Sequence, residues 1–193
     1  NQNFDHSDPQ TLAVDEGDNI IVNGKKSLVL NGSNADHLIV LVSYQDEQAL
    51  ILIDKQQSGV SSNEYPTIDG QTCAEISFKD VNVSNEAILA KSYEAEELLN
   101  EAINLATLCV SAESIGCMTS CYLKTVEYTK GRQQFGQPIS KFQVLQHRMV
   151  DMFIETEVCK SLLFKAMLEC DSNKDTKTQS VSALKYQIGT SGK

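Results

Sequence analysis

The chain has 193 residues, 41% of them hydrophobic and 22% charged, which suits a globular protein with enough length for one large or two small cored domains. Its net charge of −10 excludes general binding to nucleic acid or to an anionic membrane surface, so any anionic ligand must be held by a local concentration of donors. No apolar run approaches the roughly 18 residues of a membrane span, and no signal peptide is visible.

Residues 1 to 17 are polar and read as a solvated terminus; His6, flanked by Asp5 and Asp8, belongs to it rather than to a metal site. From Asn19 to Val83 the chain reads as antiparallel β-structure. Asn19–Val22 leads into Asn23-Gly24, a strong short-range hairpin signal, and Ser27–Leu30 leads into a second turn at Asn31-Gly32. Leu38–Val42 and Ala49–Ile53 are β-branched and leucine-rich, split by a polar connection from Ser43 to Gln48. Their unbroken apolar character predicts strands buried at least in part on both faces. Gly59 to Gly70 reads as a long connection. Thr72 to Val83 reads as a strand alternating through Cys73, Glu75, Ser77 and Lys79. These runs together predict a small antiparallel sandwich or barrel.

From about Glu94 the period becomes helical. Leu105, Leu108, Ala112, Ile115, Thr119, Tyr122 and Val126 form one stripe, and Leu99, Ile103, Ala106 and Val110 a second beside it. A helix with two apolar stripes is buried over a wide arc, as in a bundle. A second long helix carries Phe142, Leu145, Met149, Met152, Thr156, Cys159, Leu163 and Met167, and ends near Asp171-Ser172-Asn173. A third starts near Asp175, sets Val181, Leu184 and Ile188 on one face, and stops near Gly189. Three helices with one unfinished face suggest an incomplete up-down four-helix bundle. The fold class is thus α+β, with a β-domain over residues 1–92 and a helical domain over 93–193. The six cysteines form no C-x-x-C pair and read as small core residues, with no metal and no disulfides.

The chain's only two arginines, Arg132 and Arg148, lie in or directly after the stretch from Tyr128 to His147. There the helical pattern breaks at Phe135-Gly136-Gln137-Pro138 and resumes at Ile139. Pro138 suits the first turn of a new helix, whose free N–H groups and positive dipole end, with Arg132 close by, attract phosphate. On spacing alone the same stretch also reads as an ordinary corner between two helices.

The run G-R-x-x-F-G-x-P-I-x-x-F-Q-x-x-Q-H from Gly131 to His147 closely resembles the signature of the acyl-CoA dehydrogenase family. The likeness extends upstream: Thr11-Leu12-Ala13, Asn23-Gly24-Lys25-Lys26, Ala35-Asp36, Asp54-Lys55 with Ser58-Gly59-Val60, and Phe78–Val83 fall in the order and spacing of that family's middle domain. The resemblance implies an FAD-dependent α,β-dehydrogenation of an acyl-CoA thioester, in fatty acid metabolism. It implies FAD held across a subunit interface, with Arg132, Gln134, Phe135, Phe142 and Gln143 as cofactor-binding residues. It also implies an electron-transfer flavoprotein as electron acceptor and a homodimer, homotetramer or heteromeric pair with a paralogous subunit. The location it implies is the cytoplasm, or the mitochondrial matrix in a eukaryote.

Departures from the family pattern also bear on function. The family's Trp-Ile-Thr beside the flavin ring reads Leu28-Val29-Leu30 here, and a leucine donates no hydroxyl hydrogen bond. The family's Asp…Arg pair near the start of the first long helix reads Asn104 and Thr107. Neither the family's downstream glutamate base nor its glycine-rich segment is found, so no catalytic residue is assigned, and Glu113 and Glu155 are not candidates. Two alternatives keep the fold: a non-catalytic helper subunit, or a relative of acyl-CoA oxidases and nitroalkane oxidases. The chain reads as a fragment comprising the middle domain and most of the C-terminal helical domain, inactive by itself.

Overall fold

The structure, a computed structural model, describes residues 8–193; the reading of Asp5 and His6 lies outside the described residues. Two compact units divide after Leu99.

The first unit is a seven-stranded sheet in the order β5-β6-β2-β1-β3-β4-β7, with β1 Leu12–Glu16, β2 Asn19–Leu30, β3 His37–Tyr44, β4 Glu47–Asp54, β5 Val60–Pro66, β6 Thr72–Ser84 and β7 Ile88–Lys91. All neighbours pair antiparallel except β1 and β3, which run parallel through Leu12↔Ser43 and Ala13↔Tyr44. The sheet is therefore mixed, and of the two forms expected the closed barrel is not the one formed. Its core gathers one side of each strand: Ile20 and Val22 from β2, Val40 and Val42 from β3, Ile51 and Ile53 from β4, Ile76 and Val81 from β6.

Several strand boundaries differ from the sequence reading, each for a local reason. Asn23-Gly24 is no hairpin: β2 runs straight through it with a register shift, and Gly24 sits at φ +150 because a Cβ there would lie 2.7 Å from Thr11 Cα. The β1–β2 turn is instead Gly17-Asp18, where Gly17 supplies the positive φ that a two-residue loop requires. The polar start of the chain hides β1, whose only buried residue is Ala13. The supposed connection from Gly59 contains β5, a polar edge strand whose residues are mostly exposed. In β6 the inward residues are Ala74, Ile76 and Phe78, then Val81 and Val83 after an irregularity at Asp80 (φ 48), so the expected alternation is out of phase. Leu38–Val42 and Ala49–Ile53 bury one face; Ile39 and Leu52 on the other are exposed.

Where β1 begins, β2 and β3 lose the strand between them. Lys26 bridges the opening, its ammonium donating to the Leu41 carbonyl at 2.7 Å, and burial there lowers the amine's pKa.

The second unit holds most of α1 Ser92–Gly131, then α2 Gln143–Leu168 and α3 Lys174–Ser191. α3 starts on an Asn173 cap, whose side chain accepts from the Thr176 N–H, and buries Val181, Leu184 and Ile188 as expected. It runs past Gly189 to Ser191. α2 turns Cys159 and Ala166 inward, and α1 contributes Leu108 and Ile115. The wide burial expected of α1 is not seen: Leu98, Leu105, Val110 and Leu123 are all exposed. Its most apolar window, of mean hydropathy 1.3, makes α1 long and apolar enough to cross a membrane by length and composition, contrary to the sequence reading. Cysteine placement also differs: Cys73 and Cys159 are core residues, whereas Cys109, Cys117 and Cys121 are exposed thiols on α1.

Candidate functional site

The corner after α1 is a small hairpin rather than a plain turn. Gln133-Gln134 (β8) pairs with Gln137-Pro138 (β9), and Phe135 and Gly136 form its two-residue tip with φ values of 54 and 77. Two positive φ angles in succession are what a tight hairpin loop of this twist demands. Glycine meets that freely; Phe135 does so at a cost of about 1–2 kcal/mol. Part of that cost is offset by its edge-to-face contact with Phe142, ring centroids 6.1 Å apart.

The hairpin is anchored at both ends. The Arg132 N–H continues α1 by donating to the Tyr128 carbonyl at 2.9 Å, and the Ile139 N–H donates to the Arg132 carbonyl at 2.8 Å. Pro138 therefore ends β9 and precedes a 3₁₀ turn, Ile139–Lys141, instead of occupying the first turn of α2. The N-cap of α2 is Phe142, which has no side-chain acceptor, so the first-turn N–H groups of α2 are left uncapped. No acidic residue lies in that turn.

Arg132, Gln134, Phe135 and Gln143 are exposed and Phe142 is half-buried, so all five predicted residues fall on this hairpin and the helix start behind it. Arg132 makes no ion pair among the described residues, although the chain is strongly acidic. Two supporting residues were missed by sequence reasoning. Gln146 donates its amide to the Ser140 carbonyl at 3.0 Å, and Thr129 donates to the Met149 sulfur at 3.3 Å, tying the end of α1 to α2. Gln146 could have been found, because it is a fixed letter of the quoted motif.

An open groove of about 890 Å³ lies elsewhere in the helical unit, lined by Val110, Cys117, Met118, Cys121, Met152 and Ile188. It contains none of the five residues. Glu113 lies on its wall; Glu155 accepts from Gln187 at 3.3 Å and from Ser191. Asn104 donates to Thr178 at 3.3 Å, and the Thr107 hydroxyl folds back onto the Ile103 carbonyl at 2.7 Å. At the positions of the family's charged pair, two neutral side chains thus serve α1–α3 packing and α1 itself.

Comparison with known proteins decides the family. The model for "Acyl-CoA dehydrogenase, middle domain" matches residues 1–81, and that for "Acyl-CoA dehydrogenase, C-terminal domain" matches residues 97–191. The chain belongs to the acyl-CoA dehydrogenase family. A glutaryl-CoA dehydrogenase from Desulfococcus multivorans is 25% identical over 188 residues, covering 93% of this chain and 48% of that protein. A solved glutaryl-coenzyme A dehydrogenase in complex with glutaryl-CoA superposes with a TM-score of 0.85 at 26% identity, over 94% of this chain and 48% of the other. An FAD-dependent dehydrogenase gives 0.88 at 25% identity, over 96% and 52%. This acyl-CoA dehydrogenase family chain spans about half the length of the relatives it matches.

Proposed function

We propose that the whole protein is an FAD-dependent dehydrogenase that removes hydrogens from the α and β carbons of an acyl-CoA thioester. The observation that carries this is Arg132: an exposed guanidinium, unpaired by any described carboxylate in a chain of net charge −10, beside an uncapped helix start. The residues present fit the diphosphate and adenosine portion of FAD. Arg132 would offer a charge-assisted fork to a phosphate, and the first N–H groups of α2 a positive dipole end. Gln134 and Gln143 carry amide donors and acceptors for ribose or adenine, and Phe135 and Phe142 an aromatic edge. Bound FAD would supply the hydride acceptor. No residue is proposed as the base. At the flavin edge, Leu28 and Leu30 would give only aliphatic contact. Both are exposed, and Leu28 sits at φ 54 on an irregular part of β2.

In this reading the β-domain covers residues 1–92 and the helical domain 93–193. The partners are an acyl-CoA, an electron-transfer flavoprotein and either further copies of the chain or a paralogous subunit. The location is the cytoplasm or the mitochondrial matrix. Whole protein should purify yellow, and Arg132→Ala should weaken FAD retention about ten- to hundredfold, as expected for losing a charged hydrogen bond. The flavin-to-protein absorbance ratio after dialysis measures this; an unchanged ratio would count against the assignment.

A helper subunit without turnover is the second reading, favoured by Asn104 and Thr107 being committed to packing and to the helix backbone. Anaerobic addition of an acyl-CoA separates the two. Bleaching of the flavin band supports the dehydrogenase, and an unchanged spectrum with FAD bound supports the helper.

A further inference from the structure

α2 has two apolar faces. Thr156, Cys159 and Ala166 point into the bundle and are buried. On the other side Val150, Phe153, Ile154, Val158, Phe164 and Leu168 recur at helical spacing and stay 40 to 85% exposed. At 100° per residue Val150 and Cys159 lie on opposite sides of the helix, so the outer stripe is a separate surface. An ordinary solvent face is polar; this one is apolar along most of the helix.

The charges around the stripe narrow what covers it. Asp151 and Glu157 come first along α2, Lys160 and Lys165 after them, placed about evenly around the level of Val158 and Cys159. We propose that the outer stripe is the contact with a second copy of this chain, the two α2 helices running antiparallel about a two-fold axis at that level. This register sets Asp151 beside the partner's Lys165 and Glu157 beside the partner's Lys160. It also sets Phe153 against the partner's Phe164 and Val150 near the partner's Leu168. The Glu157–Lys160 pair, 2.7 Å apart within one helix, becomes half of a four-charge cluster. A parallel pairing stacks Asp151 on Asp151 and Lys165 on Lys165, and in a chain of net charge −10 it gains nothing in return. Antiparallel pairing also closes on itself, so assembly stops at two copies on this face.

The proposal uses none of the flavin-binding residues, so it stands or falls apart from the flavin reading. Sedimentation velocity of the chain over a dilution series should show a dimer, and Ile154→Glu should convert it to monomer while the helical circular dichroism is kept. Lys165→Asp and Asp151→Lys should each weaken the dimer roughly tenfold, since every substitution breaks two symmetric pairs. Combining the two should restore it. A chain that is monomeric at every concentration would overturn the proposal, leaving the stripe to another protein or another part of a longer chain. So would a dimer indifferent to Ile154→Glu, or a combined variant no tighter than either single one.

Discussion

The two units of this chain use apolar residues in opposite ways. The β unit turns one face of each strand into a shared core of fifteen buried hydrophobic residues. The helical unit buries only seven in its cluster, although its helices are long and rich in apolar residues. A strand shows its two faces by alternation, so each side chain has one destination. A helix of two apolar stripes has two destinations, and α1 and α2 each fill one within the chain. The lesson is that the β unit is packed to completion by its own residues, whereas the helical unit carries surface meant for something else.

The largest expected effect tests that contrast directly. Ile51 and Leu184 are both fully buried, one in each core. Ile51→Ala should cost about 4 kcal/mol, near the upper part of the range for such truncations, because neighbouring strands cannot collapse into the gap. Leu184→Ala should cost about 2–3 kcal/mol, because its seven-member cluster adjoins an open groove and can relax. Urea unfolding followed by circular dichroism measures both. Equal losses would break the comparison.

A smaller effect sharpens it at the level of single atoms. A Cβ on Gly59 would lie 2.3 Å from the Lys79 carbonyl oxygen, at a φ of +91 that side chains avoid. Gly59→Ala should therefore destabilise by about 2–3 kcal/mol, combining strain and overpacking. Gly116 in α1 has nothing within 4 Å of the same added atom, and Gly116→Ala should stabilise by about 0.5–1 kcal/mol through helix propensity. One added methyl then reports opposite signs in the two units, as a shift of the urea midpoint.

The same contrast explains what was legible in the sequence. The helices were readable because Val181, Leu184 and Ile188, or Met152, Thr156 and Cys159, repeat at a period that survives whatever covers the other face. Strands β3 and β4 were readable from their β-branched runs. β1 and β5 were not, because β1 buries only Ala13 and β5 is an exposed edge held by its backbone pairing with β6. Asn23-Gly24 misled because its glycine answers to Thr11, a partner that only the tertiary structure brings near. At the candidate site, residue types gave Arg132 and its neighbours. The hairpin that presents them was hidden, because it depends on Phe135 taking a backbone conformation that its type disfavours.

The smallest expected effect concerns how the parallel β1–β3 pair, only two residues long, is held in the β unit. Tyr44 donates its hydroxyl to Asp15 at 2.6 Å, Gln45 donates to the other carboxylate oxygen at 2.7 Å, and the Lys91 ammonium sits 4.6 Å from the centre of the Tyr44 ring. The Tyr44 bond, then the Gln45 bond, hold the Asp15 carboxyl below its ordinary pKa, and the same contact raises the Tyr44 hydroxyl. A depressed folded-state pKa means the carboxylate form binds more tightly in the fold. This contribution is fully present above the ordinary aspartate range and fades as pH falls through the lower folded value. Tyr44→Phe removes the principal donor, so the acid limb of stability against pH should become shallower below the usual aspartate pKa, while the neutral-pH urea midpoint drops only slightly. Unfolding curves of wild type and Tyr44→Phe across the acid range measure this. An identical acid limb in both would show that the short parallel pair is held by its two backbone registers and the Ser43 N–H to Thr11 carbonyl bond of 2.8 Å, with Asp15 a bystander.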